Sequence, residues 1–179
     1  DNAYSVLGNL ASKFLDKLIQ SHREENDVSY SECVKYAFAE NPIPFAYVDL
    51  NSDFSFHDEG RRQFDNLKNL INNSLEQKYG FDLKKGLIEP SFICEALGLA
   101  GRMDLLQSDY TKLIEQKSGK RGGLKQDHHK ETHYIQMMLY RAILEYNIGI
   151  KDSFADSYLL YSKYSDGLML EKTYKKLLL

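Results

Sequence analysis

Asp104, Glu115 and Lys117 are the residues of this chain whose types and spacing best suit hydrolytic chemistry. In an extended run Leu113-Ile114-Glu115-Gln116-Lys117, alternation puts Leu113, Glu115 and Lys117 on one face and Ile114 and Gln116 on the other. A carboxylate and an ammonium then stand side by side. The preceding segment, Gly101-Arg102-Met103-Asp104-Leu105-Leu106, brings Asp104 into the same sheet, and a hairpin around Gln107-Ser108-Asp109-Tyr110 places it beside Glu115. Two neighbouring carboxylates repel each other unless a cation or a proton relieves them. Mg²⁺ or Mn²⁺ suits such a pair, because hard divalent ions take carboxylate, carbonyl and water oxygens and leave positions open for a phosphate. Phosphodiester hydrolysis needs this set: a metal to make hydroxide available near neutral pH and to neutralise charge on the phosphate, and a lysine to orient the attacking water. Taken alone, Glu-x-Lys is a common tripeptide, and a surface strand with a cross-strand salt bridge is its plainer reading.

The elements that must position these residues are legible in the periodicity. Val6, Leu7, Leu10, Phe14, Leu15, Leu18 and Ile19 recur at helical spacing and predict an amphipathic helix from Tyr4 to about His22. A second helix is predicted over Tyr30–Ala39, capped by Ser29 or Ser31 and closed before Pro42, with Asn41-Pro42-Ile43-Pro44 as a connector. A third runs from about Asp58 to Tyr79 and ends at Gly80, burying Phe64, Leu67, Leu70, Ile71 and Leu75. After Gly86 the pattern changes to three strands, Leu87–Ala96, Leu99–Gln107 and Thr111–Lys117, and then a basic loop marked by Gly119, Gly122 and Gly123. Helical spacing returns from Glu131 to Tyr146 through Ile135, Met138, Leu139, Ala142 and Ile143, and a last strand is expected over Phe154–Tyr161. Helices, a hairpin-containing sheet, a helix and a strand make an α/β sandwich.

Several of these segments together resemble a family. Gly98-Leu99-Ala100-Gly101-Arg102-Met103-Asp104, then Glu115-Gln116-Lys117-Ser118-Gly119-Lys120, then Gln136-Met137-Met138-Leu139-Tyr140 look like the linked motifs of the RecB-like branch of the PD-(D/E)XK nucleases. The CRISPR-associated RecB-like nucleases and the nuclease domains of replication helicase-nucleases are the most similar members. The match is best from Glu89 to Tyr140, and the N-terminal helix adds a weaker one. The resemblance implies a restriction-endonuclease-like fold, a central mixed sheet flanked by helices with a helical N-terminal part. It implies Asp104 and Glu115 as metal ligands assisted by the Gln116 carbonyl, Lys117 as the catalytic lysine, and Gln136 and Tyr140 approaching the DNA or the active site. The plainer reading of the last two is a polar rim beside the helix core. Glu89 matches the acid many members carry on the first strand, and Glu95 competes with it. The implied activity is a Mg²⁺- or Mn²⁺-dependent deoxyribonuclease, an exonuclease or an end-processing endonuclease, on single-stranded or frayed DNA ends beside a helicase. The alternative is a catalytically silent module of the same fold that binds DNA or scaffolds a helicase.

Two departures from the family pattern stand out. Ser12 occupies the place, four residues after Gly8, where members often carry a histidine ligand. Only Cys33 and Cys94 are present, so this segment does not supply the four cysteines of an iron–sulfur cluster; both read as buried free thiols. His128, His129 and His133 invite a zinc reading but lack an evident companion ligand, and a solvated polar start to the helix is favoured. Tyr158, Tyr161 and Tyr164 are candidates for stacking on bases, although most of the tyrosines are expected in the core.

Net charge of −3 argues mildly against a nucleic-acid partner, yet the basic residues are unevenly spread. Lys120, Arg121, Lys125 and Lys130 crowd the loop that follows the Glu-x-Lys strand, whereas Asp49–Glu59 is rich in acids. Phosphate contacts are expected from that loop. No apolar run approaches the roughly 20 residues of a membrane span and no signal segment is recognisable, so the expectation is a soluble, cytoplasmic protein. The 179 residues suit one nuclease domain, and a chain that starts at Asp1 and stops on three leucines reads as a fragment of a longer protein.

Overall fold

The computed structural model describes residues 3–46, 55–123, 129–149 and 156–171. Four helices come first: α1 (Ala3–Arg23), α2 (Tyr30–Glu40), the single turn α3 (Ile43–Ala46) and α4 (Phe56–Asn73). Seven short strands and one helix follow: β1 (Leu87–Ile88), β2 (Ser91–Cys94), β3 (Leu99–Arg102), β4 (Leu105–Leu106), β5 (Lys112–Lys117), α5 (Glu131–Ile148), β6 (Asp156–Tyr161) and β7 (Leu168–Glu171). The class is mixed α/β. Two compact units divide the chain: α1 to α4 with Lys117–Lys120 and Tyr161–Gly167 form the first, and the strands with α5 form the second. No helix among the described residues is long and apolar enough to cross a membrane.

In the helical unit, α1 packs along α4 and α2 through the residues its periodicity singles out, with Leu10, Phe14, Leu15 and Ile19 fully buried. The ring of Phe14 meets Tyr30 and Phe64 edge-on at 5.6 and 5.7 Å, an arrangement that sets ring edges against ring faces. Ser29 caps α2, its hydroxyl accepting from Glu32 N while the Glu32 carboxylate accepts from Ser29 N. Two expectations need correction here. Helix α4 stops at Asn73, not Tyr79, because the polar run Asn72-Asn73-Ser74 has low helix propensity and the Leu75 N–H reaches back to Leu70 O. The Pro42–Pro44 connector contains the one-turn helix α3, where Pro44 sits in a first turn that needs no amide donor from it.

The second unit is built on a five-stranded sheet of order β1-β4-β5-β6-β7, beside a two-stranded ladder β2-β3. β1, β4 and β5 run antiparallel in sequence, as do β6 and β7. β5 and β6 run parallel, since Asp156 N donates to Thr111 O and Ser162 N donates to Lys117 O, equal advances along both chains. Helix α5 makes the crossover between them, so the sheet is mixed. Strand β7 was not anticipated, and residues 154–155 of the expected last strand lie outside the described residues.

The two expected strands Leu87–Ala96 and Leu99–Gln107 form one hairpin broken in the middle. Pairs Leu87↔Leu106 and Ile88↔Leu105 of β1-β4 share their register with Ser91↔Arg102 and Cys94↔Leu99 of β2-β3. Between the two ladders Glu89 stands opposite Asp104 and Pro90 opposite Met103. Regular pairing fails there because Pro90 has no N–H to give and Glu89 adopts φ of 48°, a conformation that a side chain disfavours.

Helix α5 buries a face rotated from the one periodicity suggests, with Ile143 common to both. Met137, Tyr140, Ile143 and Leu144 are buried, whereas Ile135 is 50% and Leu139 42% exposed. The helix carries two apolar stripes, and contact with Cys94, Met103, Leu106 and Leu113 selects the one that includes Tyr140.

Candidate active site

Register brings the predicted carboxylates together. β4 pairs with β5 through Leu105↔Ile114 and Leu106↔Leu113, so Asp104 and Glu115 are the next opposed residues. With Glu89 opposite Asp104, three acidic positions occupy one row across three adjacent strands. Leu106 and Leu113 share the cluster containing Tyr140, Ile143 and Leu144, and Asp104 and Glu115 lie two residues further along that face. Glu95 belongs to the 3₁₀ turn Glu95–Leu97 at the tip of the β2-β3 hairpin, away from the row.

The ladder itself changes at this point. Gln107 N donates to Lys112 O, and alternation along an antiparallel pair would send Gln116 N to Met103 O. Instead Gln116 N donates to Asp104 Oδ2 at 2.6 Å, while Met103 N turns away to Pro90 O. A side-chain carboxylate has taken the place of a ladder carbonyl, which fixes Asp104 to the backbone of β5. Because a strand residue directs its N–H and C=O to the same side, the Gln116 carbonyl is also turned toward Asp104. Glu115 is buried, at 4% exposed. Glu89 is half-buried and its carboxylate lies 3.9 Å from the Arg102 guanidinium.

Tyr140 reports on this face. Its hydroxyl donates to Arg102 O at 2.8 Å and accepts from Gln136 Nε2 at 2.7 Å. Burial pushes its pKa up to about 12, with the charge of Glu115 and, more weakly, of Asp104 acting in the same direction against the Gln136 hydrogen bond. Tyr140 keeps its proton through the neutral range, so it acts as a hydrogen-bond donor. Gly101 makes this approach possible, since a Cβ there would lie 2.8 Å from Tyr140 Cε1. An isolated glycine inside a strand is the sequence signal for such an approach.

Gln136 and Tyr140 thus lie one turn apart as expected, but Tyr140 is 8% exposed and part of the core, which corrects the picture of a polar rim. Beside them, Leu99–Arg102 and Gln136, Leu139, Tyr140 and Ile143 line a cavity of about 390 Å³.

Lys117 is the last residue of β5, on the strand face of Leu113 and Glu115. Within the helical unit its backbone is held by a polar network that periodicity cannot reveal. Lys117 O accepts from Ser162 N at 3.0 Å, and Ser118 O accepts from Gln63 Nε2 at 3.1 Å. Gln63 Oε1 accepts from Ser162 Oγ at 2.5 Å, and both residues are fully buried. Gly8 faces the same segment, a Cβ there lying 3.3 Å from Ser118 Oγ, and half-buried Ser12 is one turn further along α1.

The remaining candidates separate. Lys120 and Lys130 are exposed and Arg121 is half-buried; Lys125 and His128 lie outside the described residues. His129 is not merely solvated: Nδ1 is 2.8 Å from Glu171 Oε2, and the ring stacks on Tyr134. Burial raises the pKa of Glu171, opposed by His129. Tyr158 and Tyr161 are buried in β6, so they do not present rings to bases, while Tyr164 is half-buried. Cys33 and Cys94 are buried free thiols, and burial pushes the Cys33 pKa up to about 11. Among the described residues no group of three or more His, Cys, Asp or Glu side chains is gathered as a ready-made metal cage. Asp104, Glu115 and the Gln116 carbonyl nevertheless fit a hard cation, being oxygen donors on one side of two adjacent strands.

No family model, curated protein or solved structure matches this chain.

Proposed function

We propose that this chain is a Mg²⁺- or Mn²⁺-dependent nuclease of the PD-(D/E)XK type, RecB-like branch, that hydrolyses phosphodiester bonds in DNA. One observation carries the reading: a shared register sets Glu89, Asp104 and Glu115 in a row, with Asp104 tied to the Gln116 amide. Carboxylates opposed as Asp104 and Glu115 are repel each other unless a cation relieves them, and Asp104 is held by a bond that replaces one of the ladder. Asp104, Glu115 and the Gln116 carbonyl would hold the metal, with Glu89 next in line. When bound, the cation supplies an acidified water and neutralises charge on the phosphate. Lys117, two residues past Glu115 on the same strand face, would orient the attacking water and add positive charge beside the phosphate oxygens. Tyr140 fixes the Arg102 carbonyl, and through it the segment leading to Asp104. Lys120, Arg121, Lys125 and Lys130 contact phosphates of a single-stranded or frayed end, and a helicase in the same or a partner chain would supply such ends. The motifs favour this reading, since two carboxylates beside a lysine have no use in a silent scaffold.

Labelled single- and double-stranded DNA, incubated with and without Mn²⁺, tests it. Cleavage is expected only with the metal, and Lys117→Ala is expected to lower turnover at least 100-fold, roughly the loss of one positioned electrostatic group, with an unchanged circular-dichroism spectrum. Equal cleavage by wild type and Lys117→Ala in a contaminant-free preparation removes this lysine. DNA binding without cleavage under any metal selects the silent-module alternative.

A further inference from the structure

The cavity between β3 and α5 has a form that the hydrolytic residues do not require. In the β2-β3 ladder, Ile93 O accepts from Asn147 Nδ2 at 2.9 Å and Arg102 O accepts from the Tyr140 hydroxyl, so by alternation the Phe92↔Gly101 and Cys94↔Leu99 pairs direct their backbone groups toward each other. The N–H and C=O of Ala100 and Arg102 then point to the open edge of β3. Tyr140 supports this assignment, because its hydroxyl bonds Arg102 O, a carbonyl that a β2 partner would otherwise hold. What remains at the edge is a short alternation: the Ala100 N–H and C=O and the Arg102 N–H. Leu99, Leu139 and Ile143 supply apolar walls on either side, and the volume of about 390 Å³ lies within the range of small-ligand sites.

Two occupants read a strand edge, a peptide strand and a flat heteroaromatic ring. A peptide needs an edge several residues long. This edge has four residues, and Tyr140 closes it at Arg102. A ring needs two or three adjacent donors and acceptors and apolar contact on its faces, which is what the cavity offers. Position favours the same occupant. Asp104 is two residues beyond Arg102, roughly 7 Å along the strand, a separation that one nucleotide covers between its base and its phosphate. The Arg102 side chain is exposed, with its guanidinium 3.9 Å from the Glu89 carboxylate.

We infer that the β3-α5 cavity is a nucleobase site that seats one unstacked base of the substrate strand beside the scissile phosphate, reading its edge with the Ala100 and Arg102 backbone. The inference rests on the nuclease reading. A base seated here has left its partner and its stack, so the cavity selects unpaired nucleotides.

The test walks a single abasic position along a short single-stranded DNA and measures binding in EDTA, where no strand is cut. One position should weaken binding by roughly 5- to 150-fold, the usual loss of one seated base, and Leu139→Asp should erase that difference. In nitrogen-edited NMR spectra of the unaltered protein, the Ala100 and Arg102 amides should shift with a deoxynucleoside monophosphate, which keeps the test independent of any variant. Binding that is equal for every abasic position overturns the base site and leaves the nuclease reading standing. Failure of every oligonucleotide to bind overturns both. Amides that move with a short extended peptide and not with nucleotides show that the cavity takes a peptide.

Discussion

The two compact units stabilise themselves in different ways. In the helical unit the buried side chains are mostly apolar and meet through shape: Leu10, Phe14, Leu15 and Ile19 of α1 lie against α2 and α4, with the Gln63–Ser162 pair buried in the same unit. In the second unit, polar groups sit inside the packed layer, with Tyr140, Gln107, Glu115 and Gln116 all under one-tenth exposed. Their hydrogen bonds replace or extend the strand ladder, as Asp104 does for Gln116 and Tyr140 for Arg102. Apolar packing is tolerant of sequence and non-directional, whereas these bonds fix particular atoms. Lys117 apart, the first unit is therefore expected to respond to substitution mainly in stability, and the second, on the proposed nuclease reading, mainly in activity.

The largest effect that would sharpen this contrast is Phe14→Ala. Its ring is fully buried between Tyr30 and Phe64, and removal should lower stability by about 3–5 kcal/mol in urea titration. On the proposed nuclease reading, cleavage per folded molecule should stay near wild type. A smaller loss than that of the next variant would break the comparison. Gly101→Ala sets a Cβ against the Tyr140 ring and should cost about 1–3 kcal/mol, with cleavage falling by more than the folded fraction because the displaced phenol releases Arg102 O.

Tyr140→Phe is the mildest. Losing the hydroxyl should cost about 1 kcal/mol at neutral pH. That contribution fades in alkali. The Tyr140 pKa is raised to about 12, so its contribution is intact below the ordinary tyrosine value near 10 and is lost as pH rises from there through about 12. The difference between wild type and variant should shrink over that window, and a constant difference in urea midpoints across it would show that Tyr140 does not titrate as its surroundings imply.

How legible these features are in the sequence follows the same division. The periodicity of α1 and a serine cap for α2 are local signals; the fold reproduces both and selects Ser29 over Ser31. The α5 face was misread because Ile135 and Leu139 repeat at helical spacing as well as Met137, Tyr140 and Leu144 do, and only contact with Gly101 and Leu113 chooses between them. Pro90 argues against the unbroken strand expected over Leu87–Ala96, but nothing local shows that the register survives the break and sets Glu89 opposite Asp104. Gln63 and Ser162 lie 99 residues apart and neither belongs to a motif, so their hold on Lys117 and Ser118 has no signature in the sequence. The His129–Glu171 pair joins two elements, of which β7 was itself unforeseen.

The break at Glu89-Pro90 has one more effect, on how the molecule behaves among copies of itself. β1 is an outer strand of the larger sheet, and an outer strand with a long row of free amides recruits strands from other chains. Here the row ends after Leu87 and Ile88, since the backbone turns at Glu89 and Pro90 offers no amide. The same two residues that set an acid opposite Asp104 therefore protect this edge from runaway strand pairing at high protein concentration.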